Sequence, residues 1–254
     1  MGEELYRDMP WREDTRPYYV LVSELMLQQT QVVRVIPKFN EFIAAFPNEG
    51  VLARASLADV LRHWQGLGYN RRAKYLHDAA KIIENEYGGK FPAEESDILQ
   101  LPGVGKNTAG AILAYAFNVP ALYIETNVRT VYIHHFFGSV SEVSDKQILE
   151  ILRQTIDYDN PRRFYQALMD YGSWLKANSV KNTAQSKHYK KQTPLAGSVR
   201  QVRGQIITKL STNSYSRAKL QKLVDADDRF QLALKGLLAD GLIEYQDKKY
   251  HLTK

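Results

Sequence analysis

Cysteine is absent from this chain of 254 residues. Disulfide bonds, catalytic thiolates and iron–sulfur clusters held by cysteine are therefore excluded. The six histidines show no spacing typical of metal ligands, because His134 and His135 are adjacent and cannot share one face of a helix. We expect a protein without a metal or another cofactor.

Long apolar runs are absent as well. No stretch reaches the length needed to span a membrane, and the N-terminus lacks the apolar segment of a signal peptide. The sequence therefore predicts a cytoplasmic protein without a membrane partner. Acidic residues are fewer than basic ones, and the net charge of +6 favours a polyanionic partner. With 44% hydrophobic residues, the chain is long enough to bury one core and a small satellite domain.

Apolar residues recur at helical spacing through the first two thirds of the chain, which predicts a largely α-helical body. Ser56 and Ser144 are placed to be helix N-caps. The polar and basic stretch from 179 to 196 interrupts this pattern and predicts a loop. The expected helices cover residues 17–33, 34–46, 51–64, 71–87, 96–101, 106–117, 126–137, 145–155 and 161–176.

Helical spacing returns after the loop. Apolar residues predict three helices around 202–210, 220–224 and 230–237, and the alternation that follows predicts a hairpin of strands 241–245 and 249–252. Three helices followed by a hairpin are typical of a winged-helix domain. We therefore predict a small C-terminal domain over residues 197–254.

The most informative stretch is residues 101–110, Leu-Pro-Gly-Val-Gly-Lys-Asn-Thr-Ala-Gly. Pro102 ends one helix, and the two glycines permit positive φ and leave the N–H groups of the turn uncovered. A second helix begins at Lys106, so its positive dipole end and the lysine charge suit a phosphate of DNA. An ordinary helix–helix corner is the alternative. The pattern resembles the helix-hairpin-helix of DNA repair proteins, which implies phosphate contacts by Gly103, Gly105, Lys106 and Thr108.

Two carboxylates stand out by their surroundings in the sequence. Glu24 lies on a mainly apolar helix, with Val20 and Leu27 on the same face. Desolvation would favour its protonated form, which suits a general acid, whereas the alternative is a surface glutamate. Glu125 precedes a helix, where it either caps N–H groups or serves as a second carboxylate. Two carboxylates around a glycosidic bond suit oxocarbenium chemistry, and removal of a DNA base is such a reaction.

Further segments occur in a recognisable order: Pro-Trp-Arg at 10–12, Ser-Glu-Leu-Met-Leu-Gln-Gln-Thr-Gln at 23–31, Gln-Gly-Leu-Gly-Tyr-Asn-Arg-Arg-Ala at 65–73, and Met-Asp-Tyr-Gly at 169–172. With the hairpin, they make residues 10–200 resemble the adenine-specific mismatch DNA glycosylases of the helix-hairpin-helix, endonuclease III-like superfamily. The resemblance implies a mainly α fold with a two-lobed glycosylase core over 1–196, to which the winged-helix domain is appended. One lobe would contain six helices over about 14–121, and the other would combine 1–13 with 122–196.

The resemblance also implies a role for particular positions. Glu24 corresponds to the acid that protonates adenine at N7, and Glu125 to the second catalytic carboxylate. Asn127 accompanies that carboxylate, and Asn107 occupies the place where strand-cutting relatives have a Schiff-base lysine. The surroundings of the adenine pocket would be Trp11, Arg12, Leu27 and Asp170. Gln29 and Tyr69 would wedge into the duplex beside the flipped base; for Tyr69 the alternative is a buried turn tyrosine.

Three departures from the family pattern matter. The second carboxylate is an aspartate in the family, and here it is Glu125, one methylene longer. The four cysteines that hold an iron–sulfur cluster in the family correspond to Lys176, Thr183, Ser186 and Gln192. We expect either a loop fixed by hydrogen bonds with its lysines facing phosphate, or a plain solvated loop. Finally, the segment at 197–254 does not resemble the family's domain for reading 8-oxoguanine opposite adenine.

The leading hypothesis is a base-excision repair glycosylase that removes adenine opposite guanine or 8-oxoguanine. Lys106 is one residue from the Schiff-base position, so it is turned by about 100° on the helix and we expect no strand cleavage. The alternatives are a thymine or uracil mismatch glycosylase and a catalytically silent DNA-binding homologue. Either enzyme would be a monomer that acts on double-stranded DNA with a mismatched or damaged base, in the cytoplasm at the nucleoid.

Overall fold

The computed structural model describes residues 4–138, 140–178, 180, 182, 185–187, 194–224 and 227–254. Within these ranges the chain forms fourteen α-helices and one two-stranded sheet, so the prediction of a mainly α fold is confirmed. Thr183 and Gln192, two of the four positions that correspond to family cysteines, lie outside the described residues. No helix in the described ranges is both long and apolar enough to cross a membrane.

The chain divides into two compact units. The first comprises Met1–Glu24, Ala93–Gln100 and Val104–Lys191, and the second comprises Leu25–Pro92, Leu101–Gly103 and Gln192–Lys254. The C-terminal segment belongs to the same unit as residues 25–92.

The first unit contains a core of buried side chains, among them Tyr123, Val128, Leu152 and Tyr165. The rings of Tyr123 and Tyr165 stack at a centroid distance of 4.1 Å. Ser144 caps α10 through a capping box with Gln147, as its position in the sequence predicted. The helices are α1 Pro10–Glu13, α2 Pro17–Leu27, which continues into the second unit, α7 Glu95–Ile98, α8 Lys106–Ile112, α9 Thr126–Tyr132, α10 Asp145–Thr155 and α11 Pro161–Ala177. Two of them, α8 and α9, continue as π-helical turns over Leu113–Phe117 and Ile133–Phe137.

The second unit begins with four helices around Phe39, Phe42 and Trp64, which are fully buried. The helices are α3 Val32–Ala45, α4 Glu49–Arg54, α5 Leu57–His63 and α6 Arg71–Glu86. The single helix predicted over 51–64 is wrong. Ser56 accepts a hydrogen bond from the N–H of Asp59 and starts α5, which confirms its role as an N-cap and separates α5 from α4.

The second unit also contains the C-terminal segment. Its elements are α12 Val199–Leu210, α13 Arg217–Leu223, α14 Asp228–Ala239, β1 Ile243–Gln246 and β2 Lys249–Leu252. The strands are antiparallel, and Ile243 pairs with Leu252. Asp247 and Lys248 form the two-residue turn with φ of 51° and 61°, as a type I′ hairpin requires. Ile206 of α12 and Phe230 and Leu237 of α14 are buried in this segment.

The helix predicted over 17–33 is also wrong, because the chain leaves the helical path after Leu27 and α3 starts at Val32. Gln29 adopts a φ of 57°, which no residue inside an α-helix has. The cause lies far away in the sequence. Arg72 of α6 donates hydrogen bonds to the carbonyl oxygens of Leu25, Met26 and Gln28 at 2.6–2.8 Å, and these carbonyls would otherwise continue the helix.

Candidate active site

Glu24 lies in α2 and is the last residue of this helix that belongs to the first unit. Its neighbours Ser23 and Val22 are fully buried, and the Glu24 side chain itself is largely covered. Burial and, to a smaller extent, the nearby carboxylate of Glu125 together raise the pKa of Glu24 from 4.5 to about 8. The Glu24 carboxyl group is therefore protonated at neutral pH. A carboxylic acid in this state can donate a proton to a leaving group.

Glu125 immediately precedes α9, and its side chain makes no capping hydrogen bond. The interpretation of Glu125 as a helix cap is therefore not supported. Burial raises the pKa of Glu125, while Arg129 and the N–H of Thr126 oppose that rise. Arg129 is itself fixed by a bidentate ion pair with Asp145 at 2.7 and 2.8 Å. Two interacting carboxyl groups with different surroundings can divide the roles of acid and charge-stabilising base.

Asn107, in the first turn of α8, contacts the segment that leads to Glu125. Its Nδ2 donates to the carbonyl oxygen of Ile124 at 2.9 Å, and its Oδ1 lies 3.5 Å from the Ile124 nitrogen. The amide thus holds the backbone of the residue just before Glu125. The sequence could not show this contact.

The Met-Asp-Tyr-Gly segment at 169–172 packs against the start of α9. Asn127 donates to the sulfur of Met169 at 3.5 Å, while its buried Oδ1 has no hydrogen-bond partner among the described residues. A Cβ added at Gly172 would lie 2.6 Å from the carbonyl oxygen of Asn127. Only glycine lets α11 approach α9 this closely. Met169 and Gly172 of this segment therefore both contact Asn127, two residues after Glu125.

Asp170 joins the N-terminal segment to α11. Its side chain is fully covered, and it accepts hydrogen bonds from Arg12 at 2.8 and 3.0 Å and from Arg7 at 2.6 Å. Trp11, beside Arg12 in α1, is buried. Of the predicted pocket residues, Trp11, Arg12 and Asp170 thus come together in the first unit, whereas Leu27 belongs to the second. Sequence reasoning missed Arg7.

Of the two glycines in the turn between α7 and α8, Gly103 has the positive φ that the sequence suggested, whereas Gly105 is extended with a φ of −100°. Gly103 has a φ of 80°, and an added Cβ would lie 2.9 Å from the Cβ of Tyr75. Gly105 precedes α8 without a side-chain cap, and Gly105 and Lys106 are exposed. Val104 is buried as predicted, with 8% of its surface exposed. Thr108 is also buried, so its hydroxyl is less accessible to a phosphate than Lys106 is.

The two predicted wedge residues lie in loops of the second unit. Both have left-handed backbones, with a φ of 57° at Gln29 and 47° at Tyr69, which is strained for side chains of this kind. Arg72 donates to the carbonyl oxygens of Leu25, Met26 and Gln28 at the end of α2 and just after it. It also donates to the carbonyl oxygens of Leu67 and Gly68 at 3.1 and 3.0 Å. One buried guanidinium therefore holds both loops. Burial lowers the pKa of Arg72 to about 10, which leaves it charged at neutral pH.

Tyr115 is a second residue that sequence reasoning missed. Burial raises the pKa of Tyr115, and the negative charge of Glu24 adds to this effect. Its ring meets Tyr123 edge to face at 6.5 Å. A phenol that stays neutral near Glu24 adds no charge beside the carboxyl group. No local pattern marks it, because Tyr115 lies in an apolar helical run.

The described positions that correspond to family cysteines cannot hold an iron–sulfur cluster, since Lys176 and Ser186 offer no thiolate. Backbone hydrogen bonds close the loop near Ser186: the N–H of Val143 donates to Gln185 at 2.7 Å, and the N–H of Lys187 donates to Val143 at 3.1 Å. This agrees with the expectation of a hydrogen-bonded loop for these residues. In the described part of the chain, no group of three or more His, Asp or Glu side chains is placed to bind a metal ion.

Residues 22–226 match the family described as HhH-GPD superfamily base excision DNA repair protein. The chain belongs to this family. Several proteins of known structure share its helical fold. A thermostable thymine-DNA glycosylase has a TM-score of 0.59 and 28% identity over 66% of this chain and 78% of that one. An endonuclease III–DNA complex has a TM-score of 0.58 and 20% identity, over 65% and 77% of the two chains.

Similar sequences include several adenine DNA glycosylases. The one from Buchnera aphidicola subsp. Baizongia pistaciae is 39% identical over 178 residues, which are 68% of this chain and 50% of that protein. The one from Mycolicibacterium smegmatis is 34% identical over 262 residues, which are 94% of this chain and 88% of that protein. The chain spans about half the length of the Buchnera relatives it matches.

Proposed function

We propose that this chain is a base-excision repair glycosylase that hydrolyses the N-glycosidic bond of adenine mispaired with guanine or 8-oxoguanine. The observation that carries the proposal is the pairing of Glu24, whose pKa is raised to about 8, with the second carboxyl group of Glu125. Membership of the HhH-GPD family and the names of its similar relatives support adenine as the base.

In the proposed reaction, Glu24 donates its proton to a ring nitrogen of adenine. The bond between the base and C1′ then breaks, the electron pair stays with the protonated base, and the sugar becomes an oxocarbenium ion. The carboxylate of Glu125 stabilises this cation and takes a proton from the water that attacks C1′. Asn107 acts on this step by holding the backbone before Glu125.

We further propose that the protein binds double-stranded DNA as a monomer in the cytoplasm at the nucleoid. The exposed N–H groups at Gly105 and the charge of Lys106 suit a phosphate, with Gly103 shaping the turn. Gln29 and Tyr69 would fill the space left by a flipped base. The three helices and hairpin of the C-terminal segment would form a winged-helix domain.

The proposed enzyme does not cut the strand. A Schiff base requires a lysine amine at the reacting sugar, and the corresponding residue is Asn107, whose amide is engaged with Ile124. The abasic product should therefore stay intact until it is treated with alkali. Strong β-elimination that disappears in Lys106→Ala would refute this part of the proposal.

A second candidate is excision of thymine opposite guanine. Two observations favour it. A solved thymine-DNA glycosylase is 28% identical to this chain. In addition, Glu125 departs from the aspartate expected for the adenine branch. A chain with this substrate would use the same two carboxylates on a different base.

Base release from matched duplexes separates these functions. The duplexes differ only in the target pair: adenine opposite guanine, 8-oxoguanine or thymine, and thymine or uracil opposite guanine. We expect release of adenine opposite guanine or 8-oxoguanine, and none from adenine paired with thymine. Glu24→Gln should abolish release and keep DNA binding. Release of thymine or uracil alone would favour the second candidate, and tight, salt-sensitive binding without any release would indicate a silent homologue.

A further inference from the structure

Tyr69 is held by an arginine from the C-terminal segment. Arg200, in the first turn of α12, donates a hydrogen bond through Nη1 to the Tyr69 hydroxyl. The Arg200 guanidinium carbon also lies 5.1 Å from the centroid of the Tyr69 ring, within the range of a cation–π contact. The guanidinium of Arg72 lies 5.5 Å from the same centroid. The Tyr69 side chain thus contacts both arginines.

The two arginines act on different parts of Tyr69. Arg72 holds the carbonyl oxygens of Leu67 and Gly68, which set the loop that leads into the left-handed backbone of Tyr69. Backbone constraint alone leaves χ1 and χ2 of the tyrosine free to change. Arg200 contacts the hydroxyl at the far end of the side chain, so it fixes these remaining angles.

Separate ion pairs fix α12 to the start of α6, which directly follows the loop of Tyr69. Asp240, at the end of α14, pairs with Arg71 of α6 and with Arg203 of α12, the latter at 2.5 Å. Burial alone would raise the pKa of Asp240, but hydrogen bonds from the two arginines lower it, so the carboxylate is charged at neutral pH. Arg203 is one helical turn from Arg200. The Asp240 bridge therefore sets where Arg200 meets Tyr69.

We propose that Arg200 is a positioning residue for the Tyr69 wedge, and that residues 197–254 take part in base flipping through it. This inference rests on the proposed function, in which Tyr69 enters the duplex. A wedge that kept rotating would lose its stacking contact with the bases it separates, whereas a phenol held at its hydroxyl presents one edge to them. The C-terminal segment supplies that hold.

The test is a double-mutant cycle of Arg200→Ala and Tyr69→Phe in a Glu24→Gln background, which separates flipping from base release. The target adenine is replaced by 2-aminopurine, and stopped-flow fluorescence gives the flipping rate. We expect each single variant to slow flipping about tenfold, the effect of one charge-assisted hydrogen bond. The double variant should be no slower than either single one. Arg200→Lys, which keeps a donor, should recover part of the rate.

Lys209→Ala is the matched control, because it removes a positive charge from the same helix. It should flip at the rate of the parent protein, and thermal unfolding checks that every variant is folded. Additive losses in the double variant, with a smaller salt dependence of binding, would mean that Arg200 contacts a DNA phosphate and would overturn the inference. If Tyr69→Ala flips normally, the wedge role itself fails, while base release by the unmodified chain still tests the proposed glycosylase independently.

Discussion

Replacing Glu24 with glutamine should make the protein more stable while it abolishes base release. The native state keeps a proton on Glu24 up to a pH of about 8, whereas an unfolded glutamate loses it near 4.5. Between these values the unfolded state binds fewer protons, so stability falls as the pH rises. Glutamine has nearly the same shape and no charge to lose. The variant therefore escapes this penalty.

The size of the effect follows from the two pKa values of Glu24. Stability contributed by this group falls by about 1.4 kcal/mol for each pH unit between the unfolded and native pKa. At pH 7 the native protein should therefore be about 3 kcal/mol less stable than Glu24→Gln, and the difference should level off at about 5 kcal/mol above pH 8. Near pH 4 both side chains are neutral in both states, so the two proteins should be equally stable.

Urea unfolding of both proteins at pH 4.5, 6, 7 and 8.5, followed by circular dichroism, measures this difference directly. The two free energies of unfolding should diverge as the pH rises. Base release by the unmodified protein should fall as the pH rises above 8, because the Glu24 acid is then ionised. Equal stabilities at every pH, or a Gln variant that is less stable at pH 7, would show that the Glu24 carboxyl group is not held protonated.

Three further substitutions test the packing around the site. Gly172→Ala should destabilise the protein by about 1–3 kcal/mol and slow base release, since the new methyl group meets the backbone of Asn127; a release rate equal to that of the unmodified protein would contradict this. Asp170→Asn should cost about 3–5 kcal/mol in a urea titration, because Arg12 is left buried without its carboxylate; a loss below 1 kcal/mol would argue against it. Arg72→Met should slow 2-aminopurine flipping more than it slows release of adenine from an already unpaired site. Equal effects on the two rates would exclude the idea that Arg72 assists flipping by holding the loops of Gln29 and Tyr69.

Local signals in the sequence were sufficient for the features that depend on near neighbours. Ser56 and Ser144 cap helices as predicted, because an N-cap is decided within three residues. The glycine turn at 103–105 is likewise decided by backbone freedom. The helical character of most of the chain follows from apolar spacing alone.

Features that depend on distant residues were missed. The break after Leu27 is caused by Arg72, which lies 44 residues beyond Gln28 in the chain. The contact of Asn107 with Ile124 and the ion pair of Arg7 with Asp170 join segments whose proximity no local pattern encodes. The sequence suggested that desolvation would favour the protonated form of Glu24, but the size of the rise in its pKa depends on burial by the whole unit.

The single guanidinium that holds both left-handed loops has a consequence for how the protein meets its target. Loops that are ordered before they contact DNA lose no further conformational entropy on binding. Their entropy loss opposes folding instead of binding. In the proposed function, Gln29 and Tyr69 would then be ready at every encounter with a duplex. A protein moving along DNA stays only briefly at each base pair. Loops that are already ordered can test each base pair within that residence time.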